Sequence, residues 1–328
     1  MKTIVWGNYK GGVGKTTSTF QVAKYFAQNG KKVLLLDLDP QASLSNICCN
    51  RNEPLSSIGV EFTVNFIFEL YIRIIQNDTS LSFNLLSYPK YETEVKQHVK
   101  KAVKNVDGNL FFIPTSISFS NARINDLAQK MGSSSYSIFL MQLLINDLKE
   151  LNFDYLFIDC PPTSNIITQS AFLASDFYIV PTIVDEISAN GVADYIAEIE
   201  RTRQRFTLNE TLGGIVIERV FGSKSKLIGV FETIYKERRG NADNADQVIS
   251  LDRNIEKVAG VSSLVSQNKY VKYRYSQETN GFSTQNIFNT YIPHKDNRSG
   301  GESVPQNTAR GFISESYGCI SEYLIEML

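Results

Sequence analysis

The sequence predicts an α/β fold with a mostly parallel, twisted sheet flanked by helices. Three observations predict it. Short apolar runs alternate with helix-patterned segments along most of the chain. The runs are uninterrupted rather than alternating, as strands buried on both faces are. A glycine-rich stretch at 11–14 stands between the first run and the first helical pattern, where a strand-to-helix turn belongs.

Residues 3–6 (TIVW) combine β-branched and aromatic side chains that suit a strand. Beyond the glycines, Phe20, Ala23, Phe26 and Ala27 recur at helical spacing until Asn29-Gly30 supplies a stop. Residues 33–36 (VLLL) form the second strand, closed by Asp37-Leu38-Asp39-Pro40 at the end where open α/β sheets bind ligands. Further strands are expected at 110–113, 155–158, 177–180 and 214–217, the last just before Glu218. Between them Ile138, Met141, Leu144, Ile145 and Leu148 mark one face of a helix. Phe62, Phe66, Leu70 and Ile74, at i, i+4 spacing, predict an added helix, after which Lys96, His98, Lys100, Lys101 and Lys104 make the chain polar and basic. Residues 222–285 are charged and Asn/Ser-rich with little period, which predicts a partly mobile insertion. The expected organisation is one domain over 1–328, enlarged by insertions at about 61–106 and 222–285.

The 328 residues carry 33 Lys+Arg against 34 Asp+Glu, a net charge of −1, with 42% hydrophobic residues. That composition excludes wholesale disorder and a uniformly basic protein that coats nucleic acid, and leaves room for a local basic face. Cys48, Cys49, Cys160 and Cys319 match neither a zinc framework nor a disulfide framework, so reduced thiols in a reducing compartment are expected. His98 and His294 have no second ligand at metal spacing and read as solvated. The N-terminus has no apolar signal core, and no apolar stretch approaches the ~20 residues of a membrane span. A cytoplasmic location is expected.

The strongest chemical signal is Lys10-Gly11-Gly12-Val13-Gly14-Lys15-Thr16-Thr17. Glycines let successive N–H groups face inward around phosphate oxygens, and the following helix adds its positive end. Lys15 would reach the β- and γ-phosphates and the Thr16 hydroxyl would ligate Mg²⁺. Tyr9 occupies the position where the ordinary pattern has its first glycine. Asp159 ends a buried strand, where a carboxylate can hold the water shell of Mg²⁺ beside a triphosphate. Asp37 and Asp39, two apart, share one face of an extended chain.

This octapeptide resembles the deviant Walker A motif of the ParA/MinD family of ATPases, whose signature is the additional lysine, here Lys10. Residues 37–41 (DLDPQ), 153–162 (FDYLFIDCPP), Pro181-Thr182 and 288–293 (FNTYIP) resemble further family boxes in order. The resemblance implies a P-loop NTPase fold, ATP and Mg²⁺ as cofactors, and hydrolysis of ATP. It implies that Asp39 positions or polarises the attacking water while Asp37 supports the magnesium region and its loop. It also implies that Lys10 crosses to the nucleotide of a second subunit in an ATP-bound homodimer, as an arginine finger does. Arg219, at the end of the strand expected at 214–217, and Pro293 would wall the adenine.

In the branch that partitions plasmids and chromosomes, the ATP dimer binds nonspecific DNA through basic residues of the C-terminal half. Arg201, Arg203 and Arg205, then Lys224, Lys226, Lys236, Arg238 and Arg239, and Lys269, Lys272 and Arg274 interleaved with Tyr270, Tyr273 and Tyr275, are the candidates. The membrane branch needs a basic amphipathic C-terminal helix. Here Ile313, Tyr317, Ile320 and Leu324 lie with Glu315, Glu322 and Glu326, so a core-packing helix without membrane insertion is expected. The iron–sulfur branch needs cluster cysteines for which Cys160 has no evident companion. The first strand begins at once, so no N-terminal helix-turn-helix is expected, and specificity would come from a ParB-like adaptor that stimulates hydrolysis at the nucleoid. Two alternatives stand beside partitioning: positioning of a non-DNA cargo, and a nucleotide-gated binding module with negligible turnover.

Overall fold

The uninterrupted apolar runs are strands with both faces covered. Ile4, Trp6, Val33, Leu35, Tyr155 and Phe157 pack on one side of the sheet, and Val5, Leu34, Leu36, Leu156 and Ile158 on the other. This two-residue alternation is what a pleated strand imposes, and only a double layer of helices keeps every position dry. The computed structural model describes residues 1–49, 53–77, 92–132, 135–208, 213–235, 243–267, 284–293 and 315–328.

The described strands are β1 (Lys2–Trp6), β2 (Val33–Asp37), β3 (Lys104–Asp107), β4 (Leu110–Ile113), β5 (Tyr155–Asp159), β6 (Phe177–Thr182), β7 (Lys226–Tyr235) and β8 (Ile287–Pro293). They form one sheet in the order β3-β4-β2-β5-β1-β6-β7-β8. β3 runs antiparallel to β4, and the other neighbours are parallel. The described helices are α1 (Lys15–Gln28), α2 (Ser43–Cys48), α3 (Val64–Asn77), α4 (Glu92–Ala102), α5 (Ile124–Met131), α6 (Leu140–Leu148), α7 (Ile166–Ala174), α8 (Glu186–Thr207), α9 (Gly213–Phe221), α10 (Asp243–Glu256), α11 (Leu264–Gln267) and α12 (Glu315–Met327). α1, α2, α11 and α12 cover the Trp6 face; α3 to α8 and α10 cover the Val5 face.

Five of the six expected strands and the helix expected from Phe62 to Ile74 are in place. The sixth is not. Residues 214–217 are helical, within α9. An apolar run of four fits a helix as well as a strand, and burial decides between them. Ile217 and Val220 are buried, whereas Ile215 is 84% exposed, which a strand inside a parallel sheet would not allow. The strand that follows β6 is β7, inside the stretch expected to be an irregular insertion, and α10 lies there too with Val248, Leu251 and Ile255 in the core. Gly229 makes β7 possible at this place, since a Cβ there would stand 2.4 Å from Val265 and 2.9 Å from Phe288. β3 is the other strand hidden in a charged segment; it pairs through the Asp107-Gly108 turn, with Gly108 at φ 53°.

α12 packs as expected. Ile320 and Leu324 are fully buried, and the Tyr317 hydroxyl lies 3.0 Å from the Ser18 hydroxyl on α1. Ile313 lies outside the described residues. Among the described residues, no helix is long and apolar enough to cross a membrane.

Candidate functional site

β1 sits between β5 and β6, and the strand order reverses around it, so its C-terminal end opens a crevice in the sheet. The loop after β1 fills that crevice. Gly12 (φ 72°) and Gly14 (φ 75°) are left-handed, a conformation open to glycine at little cost. Gly14 caps α1 without a side-chain hydrogen bond, and its carbonyl takes the Ser18 N–H at 2.9 Å. The N–H groups of the first turn, Lys15, Thr16 and Thr17, are therefore the orphan donors that a phosphate requires.

Lys15 is only 7% exposed and donates from Nζ to the Lys10 carbonyl at 2.9 Å, curling over the loop. Burial lowers its pKa, and the charges of Asp159 and Asp39 oppose that shift. Thr16 Oγ1 donates to Asp159 Oδ2 at 2.7 Å, while the buried Asp159 Oδ1 has no hydrogen-bond partner. β2 and β5 are in register, which sets Asp37 opposite Asp159. Burial, joined by the charge of Asp37, pushes the Asp159 carboxyl well above the usual carboxylate range, against the Thr16 hydrogen bond and Lys15. Burial likewise pushes Asp37 up to about 6, although the Ser45 N–H and hydroxyl and the Asp39 N–H stabilise its anion. A divalent cation beside Thr16 and Asp159 would give Oδ1 a partner and relieve the repulsion between the two carboxylates. An oxygen-only donor set of this kind suits Mg²⁺.

Asp37 itself is occupied. Its Oδ2 takes the Ser45 N–H and hydroxyl, both at 2.8 Å, and its Oδ1 takes the Asp39 N–H at 3.0 Å. It thus anchors the start of α2 and shapes the 38–42 turn. Asp39 is half-buried in that turn and accepts the Gln41 N–H at 2.9 Å. Its charge acts on Lys15, Asp37 and Asp159, so it faces the same space.

Lys10 differs from Lys15. Its Nζ points to the rim, 2.5 Å from Asp185 Oδ2, with both side chains more than a third exposed. Its N–H donates to Asn8 Oδ1 at 3.0 Å, and Asn8 Nδ2 donates to the Pro181 carbonyl at 2.9 Å. Tyr9 packs edge-on against Tyr195 of α8, with ring centroids 4.6 Å apart.

Asn8, Ser45, Thr233 and Asp185 escaped the sequence reading. Asn8 has a local signal, an Asx residue two before Lys10. Asp185 and Thr233 have none, since they meet the loop only across distant strands. The strand end that suggested Arg219 does not exist: Arg219 is exposed on α9, whose buried face meets Ile138, Phe139 and Leu173. Pro293 ends β8 in register with Tyr235, and its side chain lies outside the described residues. Among the basic candidates, Arg201 and Arg205 are exposed on α8 near Glu198. Arg203 instead donates to the Gly222 carbonyl at 2.6 Å, and Lys224 pairs with Glu200. Lys236, Arg238, Arg239, Lys269, Lys272 and Arg274, with Tyr270, Tyr273 and Tyr275, lie outside the described residues, as does His294. His98 is not simply solvated: it packs against Phe66 with a buried Nδ1.

A glycine cradle on a helix N-terminus, with Lys15, Thr16 and Asp159 around it on a parallel sheet, defines a P-loop nucleotide-binding protein. Residues 1–213 match the family model described as an AAA domain. The chain belongs to that family, as one of its ParA/MinD-type proteins. It is 26% identical to the chromosome-partitioning ATPase Soj of Treponema pallidum over 69% of this chain and 74% of that one. It is 27% identical to the virulence plasmid ParA family protein pGP5-D of Chlamydia psittaci over 83% and 91%. Among solved structures, apo McdA from Cyanothece shares the fold with a TM-score of 0.65 at 16% identity, covering 99% of both chains. A plasmid partition protein of Borrelia burgdorferi bound to AMPPNP shares it at 0.55 and 18%, over 99% and 97%.

Proposed function

We propose that this chain is a partitioning ATPase. MgATP favours a homodimer, the dimer binds DNA without sequence preference, and slow hydrolysis, stimulated by a ParB-like partner, releases it at the nucleoid during plasmid or chromosome segregation. The observation that carries the reading is the division of labour between two lysines. Lys15 is buried over its own loop, whereas Lys10 stands at the rim. A rim lysine adds little to its own site and, once its pair with Asp185 opens, can reach outward to a second nucleotide. Thr16 and Asp159 would hold Mg²⁺, which would offset the negative charge of the phosphates. Lys15 and the amides of Gly11 to Thr17 would bind and orient the phosphates, and Asp39 would hold the attacking water. The names of the relatives, a chromosome-partitioning ATPase and a plasmid partition protein, support the same reading.

The test is the nucleotide dependence of mass and DNA affinity. With MgATP the protein is expected to run as a dimer and to bind unrelated duplexes with an affinity that falls steeply between about 50 and 200 mM salt. Binding that ignores ATP or salt would overturn the DNA arm. Tight ATP binding with no phosphate release, even with DNA and adaptor present, would make the chain a binding module instead.

The Lys10–Asp185 pair must open before Lys10 can reach a partner. A half-exposed ion pair contributes roughly 0.2–1 kcal/mol. Asp185→Asn is therefore expected to raise the ATP-dependent dimerisation constant by up to about fivefold, read by light scattering at fixed protein concentration. An unchanged population would show that the pair does not restrain dimerisation.

A further inference from the structure

The buried polar end of β7 has no part in the chemistry so far. Thr233 is 1% exposed, and its hydroxyl lies 2.7 Å from the Val13 carbonyl of the loop and 3.0 Å from the Thr182 carbonyl at the end of β6. Its Cβ and Cγ2 come within 4 Å of where a Cβ on Gly14 would stand, so the side chain lies directly against the loop's last glycine. The next residue, Ile234, takes φ 56°. A β-branched residue there is strained, and the packing around it must overcome that strain.

A trans peptide is planar, with its C=O and N–H on opposite sides. Holding the Val13 carbonyl toward β7 therefore aims the Gly14 N–H away from β7. We propose that Thr233 is a positioning residue for nucleotide binding: its hydroxyl, nearer to the Val13 carbonyl than to that of Thr182, holds the Val13 carbonyl toward β7 and so keeps the Gly14 N–H turned into the phosphate cradle. This rests on the reading that the loop binds MgATP. Such loop N–H groups serve the α- and β-phosphates, which ATP and ADP share. Without the hydroxyl the Val13–Gly14 peptide is free to rotate, and the cradle loses one oriented donor to a charged group.

The experiment is equilibrium binding of MgATP and MgADP to the full chain carrying Thr233→Val, Thr233→Ala or Thr233→Ser, with thermal unfolding of each unliganded variant as the check on folding. Thr233→Val, nearly isosteric, is expected to weaken both nucleotides about tenfold, the scale of one hydrogen bond to a charged group. Thr233→Ser, which keeps the hydroxyl, is expected to bind within about twofold of the parent. Should Thr233→Val fail to fold, the comparison of Thr233→Ala with Thr233→Ser carries the test. Should both hydroxyl-free variants fail to fold, the hydroxyl holds the fold rather than the cradle and the proposal falls. Parent-like binding by Thr233→Val overturns it, as does Thr233→Ser binding as weakly as Thr233→Val, or a loss confined to ATP. A parent protein that binds neither nucleotide would overturn the ATP reading itself, a result distinct from any of these.

Discussion

Lys10→Ala is expected to bind MgATP within about twofold of the parent chain and to lose ATP turnover by roughly 10³-fold, the lower end for a cationic finger supplied in trans. The asymmetry follows from geometry. Lys15, not Lys10, is packed over the loop, and two contacts that Lys10 makes through its backbone, its N–H to Asn8 and its carbonyl to Lys15 Nζ, survive any side-chain replacement. The alanine variant would also remove the Lys10 ammonium from Asp185, but that carboxylate is 41% exposed and open to water. Stability should therefore change by well under 1 kcal/mol. Light scattering with MgATP should show a monomer at concentrations where the parent is dimeric. Equal turnover and equal dimerisation in the two proteins would remove Lys10 from the mechanism. Weakened ATP binding would instead place Lys10 in its own site.

The central part of this site was legible because its residues are contiguous. Lys10 to Thr17 carry a loop whose conformation needs glycine and whose function needs an adjacent helix start, so sequence order and spatial order coincide. Asp37 and Asp159 were legible for a related reason: each ends an apolar run, and parallel strands in register bring such ends together. What escaped has the opposite character. β7 is an apolar run of five between an exposed Lys226 and the pair Glu232 and Thr233, whose burial contradicts their polarity. A polar strand end reads as surface until a partner is known, and the partners here, Val13 and Thr182, are 220 and 51 residues away. The error over 214–217 is its counterpart. A short apolar run among strands reads as another strand, whereas the i, i+3 pair Ile217 and Val220 makes one face of a helix. Displacing that strand also removed the reason for placing Arg219 at the base.

Asp39→Ala should separate the two halves of the cycle in the opposite sense to Lys10→Ala. It is expected to bind MgATP and dimerise, and to lose hydrolysis by about 10²- to 10⁴-fold, the usual contribution of a positioned base. Asp39 touches neither the loop nor Asp159 through a hydrogen bond; it acts on Lys15, Asp37 and Asp159 through its charge. Its charge raises the pKa of both other carboxyls, so removing it eases ionisation of Asp159 and leaves Thr16 and Asp159, the residues that would hold Mg²⁺, in place. The substitution does remove the acceptor for the Gln41 N–H, which helps to shape the turn into α2. Asp39→Asn controls for that loss, because its amide oxygen can still accept from Gln41 while the charge is gone. If hydrolysis fails in both variants and the ATP dimer persists on DNA, the carboxylate is required for the water and the turn is secondary. If Asp39→Asn hydrolyses like the parent, the turn is what matters, and the base must be sought elsewhere.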